Sequence, residues 1–426
     1  MYFKIQKLLT TQLTIMKNIN NKRNYFRLLL SVACFSLLIT SCNKQLPEAT
    51  PIEYPPVNNS TVTIADQINT DTAYSFFAAA ATKTGQLAQL GADSTEFTVF
   101  LPTNNAFRAS GIPSIDVLNT LPVQTLGGIV GYAIIPGRQF LSIDISTSFP
   151  NEQLPTSITI GQLPGVPLPL KLTTFPSVSN GAFYDNTIPV TKADIKLKNG
   201  VIHEVGAIVA PPSQTLKDMI DNNPDLTYFK AAIQRADSGQ VGLNRFDSLL
   251  AYPVTNMTVL APNNEAFQTM LFGFIYSYML QQGYDAANAT LLANTLVSGP
   301  IVFNNPVLYS ALPASTVRGI LAYHFLASPN PYTGAIEPNI RAFSNNFSTT
   351  PSFYKTLVNS SVSAHPGVMA QATFTGPFVT DLKFTGLGTF PPGGAPFSGA
   401  PATAVSLDNH GVNGVYDVID KVLLPQ

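Results

Sequence analysis

FTVFLPTNNAF, residues 97–107, returns at 257–267 as MTVLAPNNEAF. Six of the eleven positions are identical: Thr98/Thr258, Val99/Val259, Pro102/Pro262, Asn104/Asn264, Ala106/Ala266 and Phe107/Phe267. In the first copy, Thr98 to Leu101 reads as a buried strand. Proline has no N–H to give to a ladder, so the strand is expected to stop at Pro102. Thr103 or Asn104 can then cap the helix that carries Ala106 and Phe107. In the second copy Glu265 falls in the first helical turn, where the helix dipole favours negative charge. A phrase repeated this closely is either a site used twice or the trace of a duplicated fold.

Three more echoes lie around it in the same order. TIADQINTDTAYSFFAAAA (63–81) is answered by TLKDMIDNNPDLTYFKAAI (215–233). Its apolar residues recur at helical spacing, and Pro224 fits a break between two short helices. IVGYAIIPG (129–137) is answered by ILAYHFLAS (320–328), which aligns Tyr132 with Tyr323. NGVIHEVGAIVAP (199–211) is answered by NGVYDVIDKVLLP (413–425), a briefly alternating strand after an Asn-Gly turn. The offset grows from 152 at Thr63/Thr215 to 214 at Asn199/Asn413, so the second copy is longer. Domains are expected at 58–212 and 213–426, the second with insertions near 271–315 and 386–402. Helices precede strands in each copy, which gives an α+β class.

Length and composition bound the chemistry. A chain of 426 residues fits two or three domains. Charged residues are 11% of it, against about 25% in an average soluble domain, so its surface is built largely from Ser, Thr, Asn, Gln and Pro. Net charge is −1 and no basic stripe is visible, which argues against nucleic-acid binding. The two cysteines, Cys34 and Cys42, both lie near the N-terminus, so the folded part has no disulfide framework or thiolate metal site. His203-Glu204 begins a zinc-protease pattern, but HEVGA lacks its second His. No G-x-S-x-G elbow and no phosphate-binding loop occurs. The nearest approach to a carboxylate cluster, Asp417 and Asp420, is expected to be solvated at a strand end. No enzyme, cofactor or metal is expected.

The N-terminus reads as an address. KRNYFR (22–27) precedes LLLSVACFSLLI (28–39), an apolar run too short to span a bilayer but right for a secretory signal. The small residue before Cys42 resembles the bacterial lipobox, in which the chain is cut before the Cys and lipid joins its sulfur. The alternative is an ordinary signal peptide with an incidental Cys. Residues 1–41 are then a signal peptide, with Met16 a more typical start than Met1. Residues 42–57, with Pro47, Pro51, Pro55 and Pro56, suit an extended tether. Asn43 after the Cys, rather than Asp, favours the outer membrane over the inner one and is consistent with surface exposure.

The four echoes in order resemble the fasciclin-like domain family. Its first signature, TVFAPTNEAF, stands here as TVFLPTNNAF and TVLAPNNEAF. Its Tyr-His pair stands as Tyr323-His324, but as Tyr132-Ala133 in the first copy. Its last signature, NGVIHVIDKVLLP, stands as NGVIHEVGAIVAP and NGVYDVIDKVLLP. The resemblance implies two tandem fasciclin-like domains, each a β-sandwich or wedge with small flanking helices. It implies an extracellular, non-catalytic protein used in adhesion or macromolecule binding; together with the lipobox reading of Cys42, the chain is expected to be lipid-anchored in the bacterial envelope, with an extracellular protein or polysaccharide as partner. It marks Tyr323 and His324 as an adhesion or binding pair, unless the Tyr packs under the sheet with its hydroxyl paired, as buried Tyr usually does. The other reading is a glycan- or small-ligand-binding accessory protein whose pocket the insertions build. LFGFIYSYML (271–280) is expected to be an extra core helix, the alternative being a contact surface. GLGTFPPGGAPFSGAPA (386–402) is the long loop in which specific binding would be sought first.

Overall fold

In the computed structural model the described residues are 60–147, 149–388 and 398–426. The signal, the tether, Cys42 and most of the 386–402 loop lie outside them. Residues 58–426 form one compact unit.

The phrase is a strand followed by a helix in both places. Strands β1 (Phe97–Pro102) and β9 (Met257–Pro262) are buried at all six positions. Helix α3 (Asn104–Ala109) follows the first, after α1 (Ile64–Thr70) and α2 (Ser75–Lys83). The Thr103 hydroxyl accepts from Ala106 N at 3.3 Å, and Asn263 caps the corresponding helix from Ala266 N at 2.8 Å.

The identical residues each have an identical job. The Thr98 hydroxyl donates to Arg138 O and accepts from Phe140 N, both at 2.8 Å; Thr258 does the same with Ile340 O and Ala342 N. Asn104 does not cap its own helix. Its Oδ1 accepts from Phe76 N at 3.0 Å and its amide donates to Thr72 O, tying the phrase to α2. Asn264 makes the same tie to Tyr228 N and Pro224 O. Phe107 and Phe267 are buried in their respective cores. Thr63 with Asp66, and Thr215 with Asp218, form capping boxes at the first helix of each half.

The first half continues with helices α4 (Ile115–Thr120) and α5 (Val123–Ala133). Strands β2 (Ile134–Pro136), β5 (Pro176–Ser179), β6 (Ala182–Asp185), β7 (Ile188–Leu197) and β8 (Gly200–Val205) join β1 in a six-stranded sheet of order β2-β1-β8-β7-β6-β5. A two-stranded ribbon, β3 (Leu154–Gln162) with β4 (Pro169–Thr174), stands beside it.

The second half repeats the scheme. Helices α6 (Leu216–Asp221), α7 (Thr227–Ala236) and α8 (Phe246–Ala251) precede β9. Pro224 sits at the first position of a short 3-10 turn between α6 and α7. Strands β12 (Ser352–Tyr354), β13 (Val368–Thr375), β14 (Phe378–Thr385), β15 (Ala402–Gly411) and β16 (Gly414–Ile419) form a sheet of order β12-β13-β14-β15-β16-β9, with a short ribbon of β10 (Ser328–Pro329) and β11 (Ile336–Glu337).

In both sheets the phrase strand runs parallel to the last strand, Phe97 opposite Gly200 and Met257 opposite Gly414. Two echoes far apart in sequence are therefore hydrogen-bonded neighbours. A parallel pair is covered on both faces. That corrects the reading of the last signature as an alternating strand: Gly200–Val205 is buried at every position but Glu204. It also corrects the solvated Asp417, which lies in the middle of β16 between two strands and is 0% exposed. Asp420, past the strand end, accepts from Thr403 N at 2.7 Å and is only partly exposed.

The inserted segment of the second half is helical. Helix α9 (Asn264–Gln281) runs for 18 residues and turns into α10 (Ala286–Leu296); α11 (Ala314–Tyr323) follows. Phe267, Met270, Leu271, Ile275 and Met279 of α9 face the core at helical spacing, with Phe272, Phe274, Tyr276 and Tyr278 half-buried against it. Among the described residues, no helix is long and apolar enough to cross a membrane.

The halves meet through a buried seam. Phe175 packs on Phe343, ring centres 6.0 Å apart, and the Arg341 guanidinium lies 4.5 Å over the Phe175 ring. Asn345 donates to Asn186 O at 3.0 Å, and the Tyr184 hydroxyl donates to Pro377 O at 2.7 Å.

Candidate functional site

Tyr323 ends α11 and His324 follows it, and both are 0% exposed. The Tyr323 hydroxyl donates to Gly367 O at 2.6 Å and accepts from Leu387 N at 3.0 Å. Tyr132 copies this in the first half, donating to Thr173 O at 2.8 Å and accepting from Asn186 Nδ2 at 3.2 Å. His324 Nδ1 lies 2.8 Å from Ile320 O, and Nε2 accepts from Leu423 N at 3.0 Å. A carbonyl on one side and an N–H on the other select the neutral ring with its proton on Nδ1. Burial pushes its pKa down to about 4. The pair thus presents no atom to a partner; in this geometry it braces α11 against β9, β13 and the chain end.

That bracing has a pH signature. A His whose folded pKa lies below its unfolded value of about 6.5 stabilises fully above 6.5, and this is lost as pH falls towards 4. His324→Ala is expected to cost about 2–3 kcal/mol at neutral pH, because the buried Leu423 N–H loses its acceptor. It should also remove the share of acid destabilisation, about 3 kcal/mol, that the wild type shows between pH 6.5 and 4. Urea unfolding of both proteins across that range measures it.

His203, the other histidine of a signature, is also buried, with Nε2 2.8 Å from Phe140 O and Nδ1 accepting from Asp194 N at 3.2 Å. It stacks on Phe100, ring centres 5.3 Å apart. Among the described residues, no group of three or more His, Cys, Asp or Glu could hold a metal ion.

Buried polar groups gather at the seam, and no local sequence signal announces them. Asp185 accepts the Thr174 hydroxyl, and burial pushes its carboxyl up to about 7. Arg341 donates to His410 Nε2 at 2.9 Å and to Val412 O at 3.2 Å, and burial pushes it down to about 10.

Two surface features distinguish the second half. The first is a cavity of about 540 Å³ lined by the start of α9 (Glu265, Thr269, Met270), the flanks of the 386–402 loop (Gly388, Gly399) and Lys421 after β16. Its volume falls within the range of small-ligand pockets. The second is the inserted hairpin and the turns after it. From Ala266 to Val317 the only charged residue is Asp285. On this stretch Leu291, Ile301 and Val307 are each at least 65% exposed, with Leu280, Tyr284 and Tyr309 also exposed. The first half has only the six-residue α4 in the corresponding place.

Comparison with known proteins gives three findings. Residues 72–211 match the family model of the fasciclin domain. A curated protein of Synechocystis, Protein sll1483, is 29% identical over 135 residues, covering 31% of this chain and 65% of that protein. The chain thus spans just under two thirds of that relative's length. Among solved structures, a FAS1 domain pair from the insect cell adhesion molecule Fasciclin I aligns over 83% of this chain and 97% of its own, at 14% identity and a TM-score of 0.31. The family match covers residues 72–211, and the second half of the chain builds the same helices, phrase strand and closing strand a second time.

Proposed function

We propose that the chain is a non-catalytic surface protein of the bacterial envelope. Lipid on Cys42 holds it, and its two fasciclin-type halves bind an extracellular protein or polysaccharide in adhesion. The observation that carries this reading is the contrast between what is shared and what diverges. The shared motif residues turn inward and satisfy each other, whereas the second half adds a hairpin and following turns, charged from Ala266 to Val317 only at Asp285, that expose Leu291, Ile301 and Val307. Exposed apolar groups on a rigid scaffold are the usual substance of a contact surface. The test is to couple the full chain to beads and measure attachment to cells, matrix proteins and polysaccharides. Attachment to at least one class is expected, reduced by Leu291→Ser with Ile301→Ser and Val307→Ser. Attachment to none would overturn the reading.

The 540 Å³ cavity favours a second reading, a glycan- or small-ligand-binding accessory protein. Under it, deleting 386–402 abolishes binding of a soluble oligosaccharide while the fold survives.

A further inference from the structure

The last strand of each half places one side chain under the same backbone amide, His203 in the first and Asp417 in the second. In the first half the Asp194 carboxylate takes the Ser142 N–H at 2.8 Å and the Ser142 hydroxyl, while Asp194 N donates to His203 Nδ1. In the second, the Asp408 carboxylate takes the Ser344 N–H at 2.7 Å and the Ser344 hydroxyl at 2.5 Å, while Asp408 N donates to Asp417 Oδ1 at 2.7 Å. Asp194 and Asp408 have φ of 60° and 56°, so this is one backbone corner built twice.

The difference is chemical. The first corner closes on a buried imidazole, which burial keeps neutral. The second closes on a carboxyl whose Oδ2 is buried with no hydrogen-bond partner, beside the second carboxyl of Asp408. The packed elements bring no cation to it. On β9 the residue opposite Asp417 is Leu260. On β15, His410 is taken up by Arg341 at 2.9 Å. Lys421, beyond β16, lies 4.0 Å from Asp420 and donates to Pro401 O at 2.7 Å. The 3-10 turn 344–346 offers only Ser and Asn. Two neighbouring carboxyls, Asp417 buried and Asp408 half-buried, cannot both ionise at low cost. Burial, then the Asp408 charge, holds Asp417 well above the usual carboxylate range, and burial raises Asp408 too.

We propose that the Asp408–Asp417 corner is a proton-held latch, closed while one of the two carboxyls stays protonated and released when that proton is lost at alkaline pH. Release would be felt at the seam between the halves. Ser344, which Asp408 holds, lies between Phe343 and Asn345, the residues that touch Phe175 and Asn186 of the first half. A carboxyl raised above its unfolded value stabilises fully at low pH, and this is lost as pH rises through the folded value. The first-half corner, closed on neutral His203, has no such dependence.

The test is urea unfolding of the full chain at pH 5, 7 and 9 for wild type, Asp417→Asn, Asp417→His and Asp408→Asn. Asp417→Asn keeps the acceptor for Asp408 N without a charge. The ratio of its unfolding constant to that of wild type should fall by at least about tenfold from pH 5 to pH 9. The Asp185 contribution is common to all four proteins and cancels. A ratio that stays flat with pH would overturn the proposal. So would millimolar calcium stabilising wild type but not Asp417→Asn at pH 9, since the pair would then be holding a cation. Failure of both Asn variants to fold at pH 5 would overturn it as well, because each supplies a neutral stand-in there.

Discussion

Gly200→Ala is expected to unfold the first half of the chain. Gly200 opens β8 at φ 149°, a conformation that side chains rarely adopt, and it faces β1 at the point of closest approach. A Cβ there would stand 2.0 Å from Phe97 O and 2.8 Å from Phe97 C and N. These are backbone atoms of the buried phrase strand, and they cannot turn aside as the end of a long side chain could. Relief would need β1 and β8 to separate, which breaks the parallel pairing from Phe97/Gly200 to Pro102/Val205. The cost should exceed about 4 kcal/mol, in the range seen only when a named structural requirement is violated. Gly414 meets the same obstacle in the second half, where a Cβ would stand 2.5 Å from both Met257 O and Leu216 Cδ1. Circular dichroism and urea unfolding of Gly200→Ala and Gly414→Ala should each show one half lost. Either variant with wild-type stability would mean that the strands do not approach this closely.

Asn413→Ala should be nearly as damaging, for a different reason. The Asn413 side chain is 0% exposed. Its Oδ1 accepts from Leu216 N at 2.8 Å, holding the first amide of α6. Its amide donates to Leu250 O at 2.8 Å and Tyr252 O at 3.0 Å, holding the end of α8. Truncation takes the acceptor from the buried Leu216 N–H and the side-chain donor from the buried Leu250 carbonyl, at about 1–3 kcal/mol each, less what water regains, while Tyr252 O keeps Thr255 N and Oγ1. A loss of about 3–5 kcal/mol is expected. Asn413→Asp should be no better than Ala, because it keeps the acceptor for Leu216 N but turns an oxygen towards two carbonyls. Asn199 makes the same connections in the first half, to Ile64 N, Leu90 O and Ala92 O. Asn199→Ala should therefore lose a similar amount. Rescue of Asn413 by Asp would show that the carbonyl contacts carry little weight.

These two residues also show how far the sequence could be read. The phrase, the capping boxes, the Pro224 break and the α+β order rest on local patterns, since a cap or a strand end is decided within a few residues. The Asn-Gly pair was expected to form a turn by itself. The two loop residues are instead Lys198-Asn199 and Val412-Asn413, and each Gly already belongs to the next strand. What makes the pair necessary is the approach of a strand about a hundred or more residues away, and periodicity carries no trace of it. The burial of Asp417 is invisible in the sequence for the same reason. Whether a carboxylate in a short strand meets water depends on which strands flank it, and β16 is flanked on both sides. Tyr323 and His324 were visible as a motif, but the partners that occupy their polar atoms, Gly367, Leu387 and Leu423, come from other elements. The seam is the least legible part, since Phe175, Asp185 and Arg341 follow no repeated pattern.

The repeated phrase is the core of one fold used twice, with its shared side chains turned inward. Hydrogen exchange of the full chain, read by peptide at neutral pH, tests it most directly. Amides of Thr98–Leu101 and Thr258–Ala261 should be among the slowest in the protein, because both strands are fully buried, β1 lies between β2 and β8, and β9, at the edge beside β16, is also bonded to residues 324–326. The surface of the inserted hairpin, 284–291, should exchange far sooner. Rapid exchange in either copy of the phrase would contradict the account.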